Sequence, residues 1–252
     1  MLHAEVRGKG SPLVFLHAFP LSSRMWEGQA SHFFNTHLVI APDLPGFGKS
    51  PRFPDGFTMA KAAQVVHETL EELKVKEPIT LCGLSMGGYI AFEYVRAYPT
   101  EVKKLVLVAT KAGADNDEGK AGRFKTIESI QQHGMRPFVE MFSTKALGDV
   151  TIAGRSEVVT RLKDMISSSE SQSTIEALKG LADRRDSVSL LPEITCPTLV
   201  IAGQDDKLIP VTEHEIMQKG ISGARLEVVV QSGHMVNLEQ PEKFNSLLEK
   251  FS

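Results

Sequence analysis

The sequence predicts an α/β fold: a mostly parallel central sheet covered by helices on both faces, with a helical lid insertion. Three observations carry that prediction. Short, β-branched apolar runs alternate with helix-patterned segments, one run passes straight into a helix through a glycine-rich turn, and one long interval is helical in pattern throughout. The strand-like runs are residues 13–16, 38–41, 79–81, 105–108, 198–201 and 226–230. Runs apolar at nearly every position suit strands buried on both faces of a parallel sheet. Helices are expected at 58–73, 86–97, 211–219 and 241–251, where apolar residues recur three and four apart. Between about Gly113 and Asp186 no strand-like run occurs, and amphipathic stretches lie at 123–132, 135–142, 158–166 and 173–181. Residues 113–186 are therefore expected to form a helical cap, and residues 1–112 with 187–252 the core domain. Such a cap would lie over the carboxyl ends of the strands, where open α/β sheets bind ligands; the alternative is a helical subdomain packed to the side.

Composition narrows the function classes. A chain of 252 residues with 42% apolar content can bury a full core. The net charge of -3 leaves no basic surplus, so neither nucleic acid nor an anionic membrane is an expected partner. Cys82, in the apolar run before the glycine-rich turn, and Cys196, just before Pro197, have no other cysteine near and are expected as buried thiols, with no disulfide and no zinc cluster. The first residues lack a charged head followed by an apolar stretch, and no run reaches membrane-spanning length, so a cytoplasmic location is expected.

The turn that joins strand to helix is Cys82-Gly83-Leu84-Ser85-Met86-Gly87-Gly88. It has the form of a nucleophile elbow. A serine hydroxyl attacks a carbonyl carbon well only when it stands clear of its backbone and close to a base, and a tight strand-to-helix turn provides both. Side chains two residues before and after the serine would strike the neighbouring helix and strand, so Gly83 and Gly87 occupy those positions. The helix that starts at the serine directs unpaired N–H groups toward developing negative charge.

Serine needs a base and a group to orient that base. After the run 198–201 comes Ala202-Gly203-Gln204-Asp205-Asp206-Lys207-Leu208-Ile209-Pro210, a strand-end loop with two acids. After the run 226–230 comes Gln231-Ser232-Gly233-His234-Met235, another strand-end loop. Of the eight histidines, His234 alone follows a late strand. It would take the Ser85 proton on attack and return it to the leaving group. Asp205 and Asp206 are adjacent and cannot both face it. An oxyanion needs two N–H donors, one from the residue after the nucleophile and one from the loop after an early strand. Met86 is the first; in Leu16-His17-Ala18-Phe19-Pro20 the second is Phe19, since Pro20 has no N–H. His17 is expected to be buried, hydrogen-bonded and outside proton transfer.

Together these residues resemble the α/β-hydrolase superfamily, whose order of serine, acid and histidine they share. The resemblance extends to His17-Ala18-Phe19-Pro20, similar to the family's oxyanion loop, and to residues 41–50, similar to its turn after the fourth strand. The family usually has glycine where Ala18 stands. Gly203-x-x-Asp206-x-x-x-Pro210 resembles the family's acid loop, which implies Asp206 as the orienting acid and Asp205 as a solvated turn residue. Within the superfamily, the elbow, the stretch 21–26 and Arg185-Asp186-Ser187 are similar to small esterases, enol-lactonases and cofactor-free perhydrolases. The resemblance implies a serine hydrolase of small carboxylic esters or lactones, acting through an acyl-enzyme on Ser85, with no cofactor and no metal. Alternatives on the same triad are a carbon–carbon bond hydrolase, a perhydrolase, or a low-turnover ligand receptor. Haloalkane dehalogenases and epoxide hydrolases need a carboxylate where Ser85 stands.

Trp26, Phe138, Met141, Phe142 and Leu208 are candidates to line an acyl pocket with Phe19 and Met86, although most such residues in any chain form core. With no cationic cluster at the elbow, neutral or weakly polar substrates are expected. Gly48-Lys49-Ser50 ends like a phosphate-binding loop, but Asp43 stands where its first glycine would. The Asp43 carboxylate is expected to cap local N–H groups instead. Arg185-Asp186 is expected to be a structural ion pair or turn.

Overall fold

The six apolar runs form six adjacent parallel strands of a seven-stranded sheet. The computed structural model describes residues 1–251. Strands β1 (Ala4–Arg7), β2 (Ser11–Leu16), β3 (His37–Pro42), β4 (Ile79–Leu84), β5 (Val102–Val108), β6 (Thr198–Gly203) and β7 (Arg225–Val229) lie in the order β1-β3-β2-β4-β5-β6-β7. Strands β2 and β4 to β6 are buried along most of their length, as the unbroken apolar runs require. Only β1 runs antiparallel, pairing Ala4 with Pro42 and Arg7 with Val39 at the sheet edge. Its residues, Ala-Glu-Val-Arg, give no strand signal in sequence; β3 supplies the pairing. From β2 the chain steps outward to β3, then returns to the other side of β2 for β4 and continues to β7. That reversal between β2 and β4 is a topological switch, the place beyond the carboxyl ends of the strands where open α/β sheets bind ligands.

Around the sheet are α1 (Glu27–Phe33), α2 (Met59–Glu72), α3 (Met86–Ala97), α9 (Val211–Gly220), α10 (Val236–Glu239) and α11 (Pro241–Glu249). The Thr58 hydroxyl caps α2 by accepting the Lys61 N–H. Helix α3 is buried from Met86 through Val95, which explains why its sequence is apolar on nearly every side.

Between β5 and β6 stand α4 (Asp117–His133), α5 (Met135–Ala146), α6 (Asp149–Gly154), α7 (Ser156–Ser167) and α8 (Ser171–Ala182), the helical insertion. Helix α4 packs on α5 and α8, and α5 on α7. The chain enters and leaves this insertion side by side. Ser187 N–H donates to Ala112 O (2.9 Å), Ala114 N–H to Asp186 Oδ2 (3.0 Å) and Arg184 Nη2 to Gly113 O (2.8 Å). Asp115 binds both Arg123 and Arg184, and the Arg184 guanidinium lies 4.2 Å from the centre of the Tyr89 ring on α3.

Local pattern did not reveal α1, α6 or α10. All three are short, of seven, six and four residues. The turn at residues 41–50 follows β3. Cys82 is buried, but Cys196 is only partly so, because it sits in the turn before β6. No helix among the described residues is long and apolar enough to cross a membrane.

Candidate active site

Ser85 sits between β4 and α3 with φ 55° and ψ −112°, a left-handed conformation that costs a serine about 1–3 kcal/mol. The glycines around it permit the turn. A Cβ on Gly83 would lie 2.3 Å from Gly87 O, and one on Gly87 would lie 2.2 Å from Leu16 O on β2. Two neighbouring hydrogen bonds fix the strained residue: its N–H donates to Val108 O (2.9 Å), and the Thr110 hydroxyl donates to its carbonyl (2.9 Å). Thr110 has no signal in sequence, since its partner lies across the β4–β5 pair.

The rim beyond β4 to β7 is laced by backbone. Ala109 N–H donates to Ile201 O, Gln204 N–H to Val229 O and Asp205 N–H to Ser232 O, at 2.8–2.9 Å. A Cβ on Gly203 would lie 1.9 Å from Gly233 O, so the acid loop and the histidine loop meet main chain to main chain. Across that contact Asp206 Oδ2 lies 2.7 Å from His234 Nδ1, with the two side chains 0% and 2% exposed. A carboxylate only accepts, so Nδ1 carries a proton, and in the neutral ring this is the tautomer that leaves the lone pair on Nε2. Burial alone would raise the Asp206 carboxyl. The His234 ring and the N–H groups of Ile209 and Leu208 outweigh it and hold the group below the usual carboxylate range. Asp205 is exposed and contributes its backbone to the rim. No hydrogen bond joins Ser85 Oγ to His234 Nε2 among the described residues; such bonds commonly tighten when substrate enters.

The loop after β2 faces the elbow. His17 is fully buried; its Nε2 accepts Leu44 N–H (2.8 Å) and its Nδ1 lies 3.0 Å from Ala18 O. Burial lowers its pKa to about 4, so the ring is neutral and purely a brace. Asp43 takes the capping part, accepting Ser23 N–H (2.8 Å) and Lys49 N–H (3.0 Å), with His3 Nδ1 at 2.8 Å. Ala18 does not adopt a positive φ, so the site has no need of the family's usual glycine there. Its N–H donates to Met25 Sδ (3.2 Å), a support invisible in the sequence. Among the described residues, neither Phe19 N–H nor Met86 N–H has an acceptor within the protein.

Two pocket candidates are placed elsewhere. Trp26 is core, stacked on Phe15 with ring centres 4.7 Å apart and tilted against Phe244 at 5.8 Å. Met141 is 37% exposed, on the outer face of α5. The inner face of α5 presents Phe138 and Phe142, whose ring centres lie 6.0 and 5.9 Å from Phe19. Leu208 is half-buried beside Asp206, to which its N–H donates. Arg185 and Asp186 do not pair with each other: Arg185 binds Glu93, and Asp186 accepts the Ala114 and Val188 N–H groups. Among the described residues no group of three or more His, Cys, Asp or Glu side chains could hold a metal ion.

Comparison with known proteins follows the same lines. Residues 11–241 match the family model described as the alpha/beta hydrolase fold. A thermophilic esterase from Thermogutta terrifontis superposes with a TM-score of 0.95 at 34% identity, over 99% of this chain and 92% of that one. An esterase from Exiguobacterium antarcticum superposes with a TM-score of 0.91 at 28% identity, over 99% and 94%. A 3-oxoadipate enol-lactonase from Acinetobacter baylyi is 26% identical over 240 residues, covering 95% of this chain and 87% of the relative. With a strand-to-helix serine at the switch point and an acid and a histidine two and three strands away, the chain belongs to the α/β-hydrolase fold family.

Proposed function

We propose that the protein is a serine hydrolase of small carboxylic esters or lactones, working through an acyl-enzyme on Ser85. The buried Asp206–His234 pair carries this reading, since it fixes the imidazole tautomer that a base for serine requires. His234 Nε2 takes the Oγ proton as the Oγ–carbon bond forms. The carbonyl electron pair moves onto oxygen, where the Met86 and Phe19 N–H groups receive it. Collapse breaks the bond to the leaving alkoxide, which takes the proton back from His234; in a lactone that alcohol stays tethered to the acyl group. Water then repeats the sequence on the acyl-enzyme and frees the acid. Phe19, Phe138, Phe142 and Leu208 surround these loops with apolar surface, which suits a neutral acyl group. The names of the relatives, two esterases and an enol-lactonase, support the same class. Residues 113–186 are the cap of this site in the same reading.

Ser85→Ala is expected to lower kcat on p-nitrophenyl acetate by about 10⁵–10⁶-fold while the protein stays folded. A fluorophosphonate probe should label wild type at Ser85 and leave the variant unlabelled. Undiminished turnover in Ser85→Ala would overturn the assignment. A panel of esters and lactones graded in acyl length then identifies the substrate.

A further inference from the structure

Glu239 ends α10, five residues after His234, and its side chain is completely buried. Its Oε2 accepts the Gly148 N–H at 2.8 Å and the Thr151 hydroxyl at 2.7 Å, and its Oε1 accepts the Met235 N–H at 3.2 Å. Arg155, the nearby cation, donates to the Glu239 backbone carbonyl and not to the carboxylate. Gly148 and Thr151 form the corner between α5 and α6 of the insertion, whereas Met235 adjoins His234. The His234 N–H itself donates to Ala146 O at 3.1 Å. The backbone on both sides of the imidazole is thus bonded to that corner, once directly and once through Glu239. The fit is close: a Cβ on Gly233 would lie 2.4 Å from Gly148 N, and one on Gly148 would lie 3.3 Å from Glu239 Oε2.

Three donors converge on one side chain, so the position demands a group that only accepts, at both ends. Glutamine has the same length but one donor end. With its oxygen toward Gly148 and Thr151, its NH₂ would oppose the Met235 N–H. No salt bridge reaches this side chain among the described residues, so three hydrogen bonds hold it in place. Proton transfer from serine tolerates only small misplacement of the base, since about 1 Å can cost about 10²-fold in rate.

We propose that Glu239 is a positioning residue for the base: its carboxylate braces the backbone beside His234 against the 146–151 corner and so sets where the imidazole stands relative to Ser85. This rests on the reading of His234 as the base for Ser85.

The test compares Glu239→Gln, Thr151→Ala and Ser85→Ala in p-nitrophenyl acetate hydrolysis, with folded fraction followed by circular dichroism. Glu239→Gln is expected to fold and to lose about 10²-fold in kcat, with KM within about threefold of wild type. Thr151→Ala removes a bond to the same carboxylate but leaves Met235 held, and its kcat should stay within about threefold of wild type. The proposal is overturned if folded Glu239→Gln keeps wild-type kcat, or if both variants lose activity in step with folded fraction. If Glu239→Gln does not fold, Glu239→Asp decides, since it keeps the charge on a shorter arm. A folded Glu239→Asp with kcat reduced at least about tenfold supports positioning; wild-type kcat, or failure to fold, rejects it. Turnover that survives Ser85→Ala would instead remove the nucleophile assignment, an outcome separate from a wild-type Glu239→Gln beside a dead Ser85→Ala.

Discussion

Asp206 shows why the identity of one atom matters. Its Oδ1 holds the Leu208 and Ile209 N–H groups and its Oδ2 holds His234 Nδ1, so both oxygens of the carboxylate have a purpose. In Asp206→Asn the oxygen can keep the two loop N–H bonds, which preserves the fold, while the new NH₂ faces the imidazole. The ring then answers with a lone pair on Nδ1 and a proton on Nε2, and it can no longer take a proton from serine. A kcat loss of about 10⁴-fold with an unchanged melting temperature is expected; a loss below tenfold would count against the orienting role. Asp205→Asn, a turn residue one position away, should leave turnover as it is. Two adjacent acids in one loop are alike in composition; the loop's resemblance to the family's acid loop pointed to Asp206, and the fold sets that carboxylate 2.7 Å from the ring while Asp205 stays exposed.

The elbow is an element whose sequence and shape are nearly one thing. Gly87→Ala would drive a methyl carbon to within 2.2 Å of a backbone oxygen on β2, which has no side-chain freedom to yield. A destabilisation of at least about 3 kcal/mol by urea titration is expected; stability within error of wild type would show that the elbow can open. Ser85→Gly should do the opposite. It relieves the positive φ of Ser85 and is expected to stabilise the protein by about 1 kcal/mol while abolishing turnover. Elements with strong internal pattern, β2 to β7 and helices α2, α3, α9 and α11, were legible because burial repeats along them. Strand β1 was not, since two half-buried and two exposed residues acquire strand geometry only from pairing with β3.

Across the molecule, acid stability follows from two buried histidines. Burial lowers both His17 and His214 from 6.5 to about 4, outweighing the opposing pull of Ala18 O and Asp43 on the first ring and of Pro210 O and Asp206 on the second. A depressed folded-state pKa means that each contribution is complete above 6.5 and is lost as pH falls toward 4. Each histidine is worth on the order of 3 kcal/mol across that window. Asp43 and Asp206, also held below their ordinary value of 3.8, add losses at still lower pH. His214 donates only to Pro210 O and its Nε2 has no partner, so His214→Phe tests the point cleanly. Urea unfolding of that variant should fall less between pH 7.5 and 4.5 than wild type does; parallel falls would remove His214 from the account.

Short-range chemistry wrote the strand runs, the elbow glycines and the order of serine, acid and histidine into the chain, because each depends on a few neighbouring residues. Other features needed distant partners: the meeting of Asp206 with the His234 ring, the retreat of Trp26 into the core, the outward turn of Met141, and the braces from Met25, Thr110 and Glu239. Local periodicity records which face of an element is apolar. It carries no record of what, scores of residues away, comes to lie against that face, and at this rim those long-range contacts aim the imidazole.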